Sequence, residues 1–250
     1  KLQTIVQKIF RKAYLMADMT VDHEGMQICT KPLVSFAGKL YTAPMSAVDC
    51  AVKTIGTCPR HNEAFITSGM VQYNACVGNF GGSGMAYSGS MNVLKNVLGN
   101  EYLWNNVRVK GGAYGCMCGF ALSGNGYFTS YRDPNLEKTM EIYEGVVDYL
   151  KNFDIDDRDM NKFIIGTISN LDRPMNPAAK GSRSLNLYMN RITEEMIRRE
   201  REQILDAQQE DIRGLATVLE AVLAAGELCV IGSEEKIEEA KEMFGEIRTL

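Results

Sequence analysis

Arg108-Val109-Lys110-Gly111-Gly112-Ala113-Tyr114-Gly115 sets a fixed cation and a phenol on either side of two glycines. A guanidinium donates several directed hydrogen bonds to carbonyl oxygens, a phenol donates one more, and glycine lets another backbone approach closely. That combination suits gripping a peptide backbone. Met91, Leu94, Val97, Leu98, Tyr102, Leu103 and Val107 recur at helical spacing, which places Arg108 at a helix C-terminus that Gly111 and Gly112 then end. Ala113 to Ala121 has strand composition, so the chain reverses at the glycines and Arg108 and Tyr114 are expected to converge. The same residues also have a purely structural reading, with Arg108 capping the last carbonyls of its helix and Tyr114 lying in the core. On physics alone that second reading is slightly the simpler.

Metal chemistry has little to build on, because His23 and His61 are the only histidines. His23-Glu24-Gly25-Met26-Gln27 is one residue short of His-Glu-x-x-His, but Gln27 stands where the second imidazole is needed, so a solvated helix entry is expected and no metal ligand is assigned. Cys116 and Cys118 share one strand face with Tyr114 and Phe120, and buried small hydrophobes account for them. Gly78-Asn79-Phe80-Gly81-Gly82-Ser83-Gly84 lacks the Gly-Lys-Ser/Thr ending of a phosphate loop and reads as a flexible connection. The charges from Glu194 to Glu202 alternate in sign, as on a solvated helix face.

Composition narrows the class further. The 250 residues are 45% hydrophobic and 23% charged, an ordinary globular balance with a sizeable core available. A net charge of −4 without a basic, aromatic-interleaved stripe argues against nucleic acid and anionic membrane surfaces, and no apolar run is long enough to span a bilayer. Seven scattered cysteines point to a reducing compartment rather than a disulfide framework. The chain opens inside an amphipathic helix without an initiator Met, and is therefore expected to be a piece of a longer protein.

Along the chain, the spacing predicts a strand at 13–21, a helix from about Asp22 to Leu40, a connection over 41–62, and strand composition over 63–78. Asn125-Gly126 between two apolar runs predicts a hairpin. Asp133-Pro134 predicts an N-cap and first turn for a helix reaching Phe153. Helices follow at about 157–171, 178–191, 194–206 and 209–224, then a strand at 227–232, and Ser233 caps a last helix. This order predicts an α+β layer: one mostly antiparallel sheet with helices on one face, in a single domain over residues 1–250.

The octapeptide, with Tyr102-Leu-Trp-Asn-Asn-Val107 before it and Ser130-Tyr-Arg-Asp-Pro-Asn135 after it, closely resembles the C-terminal half of presequence-protease-like peptidases of the pitrilysin/insulinase family, which are inverzincins. The resemblance continues through the 136–153 helix, Lys180-Gly-Ser-Arg-Ser184 and the terminal strand and helix, covering most of the chain. It implies a pitrilysin/processing-peptidase-like metallohydrolase fold. It also implies that this chain is the last, non-metal domain of a zinc metalloendopeptidase that degrades unstructured peptides, with residues 1–10 as a helix tail of the preceding domain. The zinc motif His-x-x-Glu-His belongs to the family's first domain and does not occur here. By that resemblance the partners are the N-terminal half of the same protein, which holds the zinc, and an unstructured peptide. Arg108 and Tyr114 then reach the substrate from across the chamber, Tyr114 acting on the carbonyl oxygen, while Gly111 and Gly112 give clearance. The chain alone is expected to be inactive. The alternative is a non-catalytic structural or peptide-binding subunit related to processing peptidases. Bacterial cytoplasm is the expected compartment, with a mitochondrial or other organelle matrix as the alternative.

Overall fold

The structure, a computed structural model, describes residues 1–43, 61–224 and 226–250. Most of the connection read at 41–62, with Cys50 and Cys58, lies outside the described residues. The chain divides into two compact units, Lys1–Cys58 with Pro174–Thr193, and Pro59–Arg173 with Glu194–Leu250. This is a finer division than the one domain expected, because the segment after Pro174 leaves the larger unit and joins the N-terminal one.

In the smaller unit, α1 (Leu2–Ile9), α2 (His23–Gly38) and α7 (Pro177–Met189) bury no side chain fully. Local caps define two of them. The Asp22 carboxylate accepts from Gly25 N at 2.7 Å, and the Asn176 side chain accepts from Ala179 N at 2.8 Å with Pro177 in the first turn. The strand expected at 13–21 does not form. Lys12–Tyr14 is a 3-10 turn and the rest is irregular, with only an isolated Arg11–Tyr41 bridge nearby. Apolar residues with strand propensity need a partner strand, and among the described residues none lies alongside.

The larger unit carries a six-stranded sheet in the order β3-β4-β2-β5-β1-β6. Its strands are β1 (Glu63–Thr67), β2 (Gln72–Asn79), β3 (Gly115–Phe120), β4 (Asn125–Asp133), β5 (Glu227–Ser233) and β6 (Glu246–Thr249). The hairpin predicted around Asn125-Gly126 is the antiparallel β3–β4 pair, with Gly124 in the left-handed region. β2 pairs antiparallel with β4 and β5, whereas β1 runs parallel to both β5 and β6. The expected mostly antiparallel sheet is therefore present. What the sequence did not show is that β1 and β2, four residues apart, are separated by β5, nor that a sixth strand follows the last helix.

Alternation makes the sheet one-sided. Asn74, Cys76, Phe128, Ser130, Leu228 and Val230 point into the core, while Tyr73, Val77, Tyr131, Met117 and Ile231 on the opposite face remain exposed. The helices α3 (Ser90–Val97), α4 (Glu137–Glu144), α5 (Val146–Lys151), α6 (Asp157–Leu171), α8 (Glu194–Leu205), α9 (Gln209–Gly214), α10 (Ala216–Ala224) and α11 (Glu234–Glu239) contribute to that core through Leu94, Tyr143, Leu150, Ile164, Ile204, Ile212, Leu219 and Ile237. One close approach sets the layer spacing. Gly78 and Gly126 face each other across β2 and β4, and α10 rests on them: a Cβ on Gly78 would lie 1.9 Å from Val222 O, and one on Gly126 2.6 Å from Val222 Cγ2.

Gly78→Ala is therefore expected to destabilise the chain by at least about 2 kcal/mol, since α10 must move to admit the methyl group. Gly214→Ala, where a Cβ meets nothing within 4 Å, is expected to be neutral or slightly stabilising. Urea denaturation measures both, and equal midpoints for the two variants would contradict the packing argument.

Candidate functional site

The helix leading to Arg108 is regular only as far as Val97 and then widens into π-helical turns over Leu98–Tyr102 and Trp104–Lys110. Asparagines explain the widening. Asn100, Asn105 and Asn106 each donate a side-chain hydrogen bond to the carbonyl four residues back, at 2.9, 2.7 and 2.9 Å, competing for acceptors of the α-helical ladder. The helix ends as the two glycines predicted. Gly112 N donates to Arg108 O at 2.9 Å and Ala113 N to Val107 O at 3.1 Å, a Schellman-type pair with each bond spanning one residue more than in the motif that ends an α-helix. Gly112 has φ +83°, and a Cβ on Gly111 would sit 2.4 Å from Val107 O.

Beyond the glycines, Tyr114 N donates to Tyr131 O at 3.1 Å and Arg132 O at 3.3 Å, next to the positive φ of Arg132 (51°). Arg108 and Tyr114 do converge. The Arg108 guanidinium lies 4.1 Å from the Trp104 ring centroid and 6.0 Å from that of Tyr114. Tyr114 is exposed, which excludes the core role that was its structural alternative. Arg108 has no carboxylate partner among the described residues, so its donors are available. It also faces Cys116, opposing the upward push that burial gives that thiol, while fully buried Cys118 is pushed up to about 12. Both are poor nucleophiles.

A buried polar network holds the hinge from beneath. The sequence placed Asp133 as a helix N-cap, but it is instead the fully buried last residue of β4, opposite Gln72, and α4 starts only at Glu137. Sheet pairing carries the strand that far, and the carboxylate then accepts from Asn135 N at 2.9 Å and Thr139 Oγ1 at 2.7 Å. Asn74 Nδ2 donates to Ser130 Oγ at 2.9 Å and Asn135 O at 3.0 Å, with Asp133 Oδ2 at 3.4 Å. Asn135 Nδ2 donates to Gly111 O at 2.6 Å. Strand ends, first helical turn and hinge are thus one unit. Sequence reasoning missed Asp133, Asn135 and Trp104 in these places; the run of asparagines was the visible signal.

Among the described residues, each histidine already has a side-chain partner. His23 opens α2 and hydrogen-bonds Gln27 at 3.1 Å. His61, Glu63 and Glu246 gather at the β1–β6 edge, at the opposite end of the strand order from β3, but His61 Nε2 already bonds Glu246 Oε2 at 2.9 Å and Arg248 Nε bonds Glu246 Oε1 at 2.7 Å. Those two partners hold the Glu246 carboxyl below its usual range.

The family model of the PreP C-terminal domain matches residues 62–234. Protein HypA of Clostridium perfringens is 42% identical over 191 residues, 76% of this chain and 20% of that protein. Presequence protease 1, chloroplastic/mitochondrial, of Arabidopsis thaliana is 34% identical over 240 residues, 96% of this chain and 22% of that protein. The chain thus spans about a fifth of the length of these relatives. A crystal structure of a peptidase M16 inactive domain from Pseudomonas fluorescens aligns with TM-score 0.53 at 14% identity, covering 83% of this chain and 50% of that one. A protease from Helicobacter pylori aligns with TM-score 0.55 at 14% identity, covering 84% and 53%. These two share the fold.

Removing the carboxylate beneath the hinge leaves the donors of Asn135 and Thr139 without an acceptor inside the protein. Asp133→Ala is accordingly expected to lower unfolding free energy by about 3 kcal/mol in urea titrations. A loss below about 0.5 kcal/mol would mean the network is not what holds the hinge.

Proposed function

Because the chain belongs to the PreP C-terminal domain family, we propose that it is the non-metal C-terminal part of a zinc metalloendopeptidase acting on unstructured peptides, and that Arg108 and Tyr114 are its substrate contacts. The observation that carries this reading is the pair itself. A guanidinium without a carboxylate partner among the described residues and an exposed phenol sit together on a hinge of two glycines. The partner is the N-terminal half of the same protein; zinc held there would supply a Lewis acid for the scissile carbonyl and an activated water.

Each residue of this chain has a definable task. Arg108, stacked on Trp104 and so restricted in rotamer, donates to backbone carbonyls of the peptide and fixes its register. The Tyr114 hydroxyl donates to the carbonyl oxygen as negative charge grows there, an interaction stronger in the transition state than in the ground state. Gly111 and Gly112 leave the peptide backbone room to approach. No helix among the described residues is long and apolar enough to cross a membrane. We propose bacterial cytoplasm as the compartment of this protein, with a mitochondrial or other organelle matrix as the alternative.

In the full-length protein, Arg108→Ala and Tyr114→Phe are each expected to reduce kcat/KM for peptide hydrolysis at least about tenfold, Tyr114→Phe acting mainly on kcat. Full activity in both variants would overturn the assigned roles. Absence of His-x-x-Glu-His from the upstream sequence would instead favour the non-catalytic, peptide-binding subunit.

A further inference from the structure

The open face of the sheet carries a row of side chains that starts at the candidate site and crosses every strand. Tyr114 contacts Tyr131 edge-on at 5.8 Å between ring centroids, and Tyr131 contacts Tyr73 at 5.3 Å. Register continues the row: Tyr73 lies opposite Ile231, Ile231 opposite Phe65, and Phe65 opposite Arg248, whose guanidinium stands 5.9 Å from the Phe65 ring. No local spacing points to it, because its members come from five separate strands and the residue before a sixth.

Three properties suggest an occupant. Tyr114, Tyr131, Tyr73 and Ile231 are 65, 44, 39 and 37% exposed, although the same strands bury their other face completely enough to supply a full core. The rings are held by edge contacts, so little side-chain freedom is lost when something covers them. The row is continuous with Arg108, which has no carboxylate partner among the described residues, whereas Arg248 at the far edge is already paired with Glu246. Five interstrand steps make it about 24 Å long, the length of roughly seven residues of extended chain.

We infer that this row is a side-chain specificity lane, in which Tyr73 and Tyr131, with Ile231, take up large apolar side chains of an extended peptide whose backbone is held at Arg108 and Tyr114. The inference rests on the peptide-grip reading above and adds to it a preference among peptides. A pair that binds backbone is nearly indifferent to side chains; a row of exposed rings is not. Polar replacements at the positions that meet the rings forfeit apolar burial and ring contact while leaving the backbone bonds in place.

The test is fluorescence anisotropy of the 250-residue chain with two labelled, unstructured peptides of equal length and charge, one bearing Phe and Leu at alternate positions and the other Ser and Gln there. The apolar peptide is expected to bind about tenfold more tightly. Tyr73→Ser combined with Tyr131→Ser is expected to reduce that ratio to about twofold, whereas Val77→Ser, on the same face but outside the row, leaves it unchanged. Arg108→Ala is expected to weaken both peptides alike; if it weakens neither while the tyrosine variant still removes the preference, the grip reading fails and the lane stands. Thermal melts by circular dichroism establish that each variant is folded, and an unfolded double variant is replaced by Tyr73→Leu with Tyr131→Gln. A preference that survives in the folded tyrosine variant overturns the proposal, as does absence of binding by the apolar peptide. So does sedimentation showing that the row joins two copies of the chain.

Discussion

A carboxylate with no solvent exposure must be met by donors, and Asp133 is met by donors from three directions. That requirement fixes the local geometry on which the candidate site depends. Asn135, drawn in by its backbone bond to Asp133, spends its side-chain amide on Gly111 O, and Asn74 brings β2 into the same network. The hinge between the Trp104–Lys110 turns and β3 is therefore anchored to two strands and a helix start, not simply left to the flexibility of glycine. Arg108 and Tyr114 inherit their separation from that anchorage.

The surroundings of the pair follow from two further packing facts. Asparagine side chains claim carbonyls along the approach to Arg108 and widen the helix, and the guanidinium then lies over Trp104 within the same widened segment. On the helical side, the Gly78–Gly126 pair lets α10 settle onto β2 and β4, concentrating the packing on one face. The other face keeps its aromatic side chains in the open. A sheet built this way presents the Arg108–Tyr114 pair at one edge and an apolar surface beside it.

Much of this was legible from residues alone where the signal is local. Asp22 and Ser233 capped helices as their types require, Gly111-Gly112 ended the helix where expected, and the hairpin formed with its turn at residues 122–124, just ahead of Asn125-Gly126, which already pair within β4. The failures were also instructive. Residues 13–21 have strand composition without, among the described residues, a strand to pair with, and Asp133-Pro134 has the look of a helix start while sheet pairing extends β4 as far as Asp133. In both cases local propensity was overruled by what was, or was not, alongside.

By itself the sequence determined the alternation that makes the sheet one-sided, the boundaries of most helices, and the identity of the cation and phenol flanking the two glycines. Spacing along the chain encodes those because caps, turns and periodicity act within a few residues. Only the tertiary structure decided that β5 separates β1 from β2, that a carboxylate beneath the hinge ties it to the sheet, and that Tyr114, Tyr131, Tyr73, Ile231 and Phe65 fall in one line. Strand register joins residues far apart in sequence, and no local spacing specifies which strand will be the neighbour.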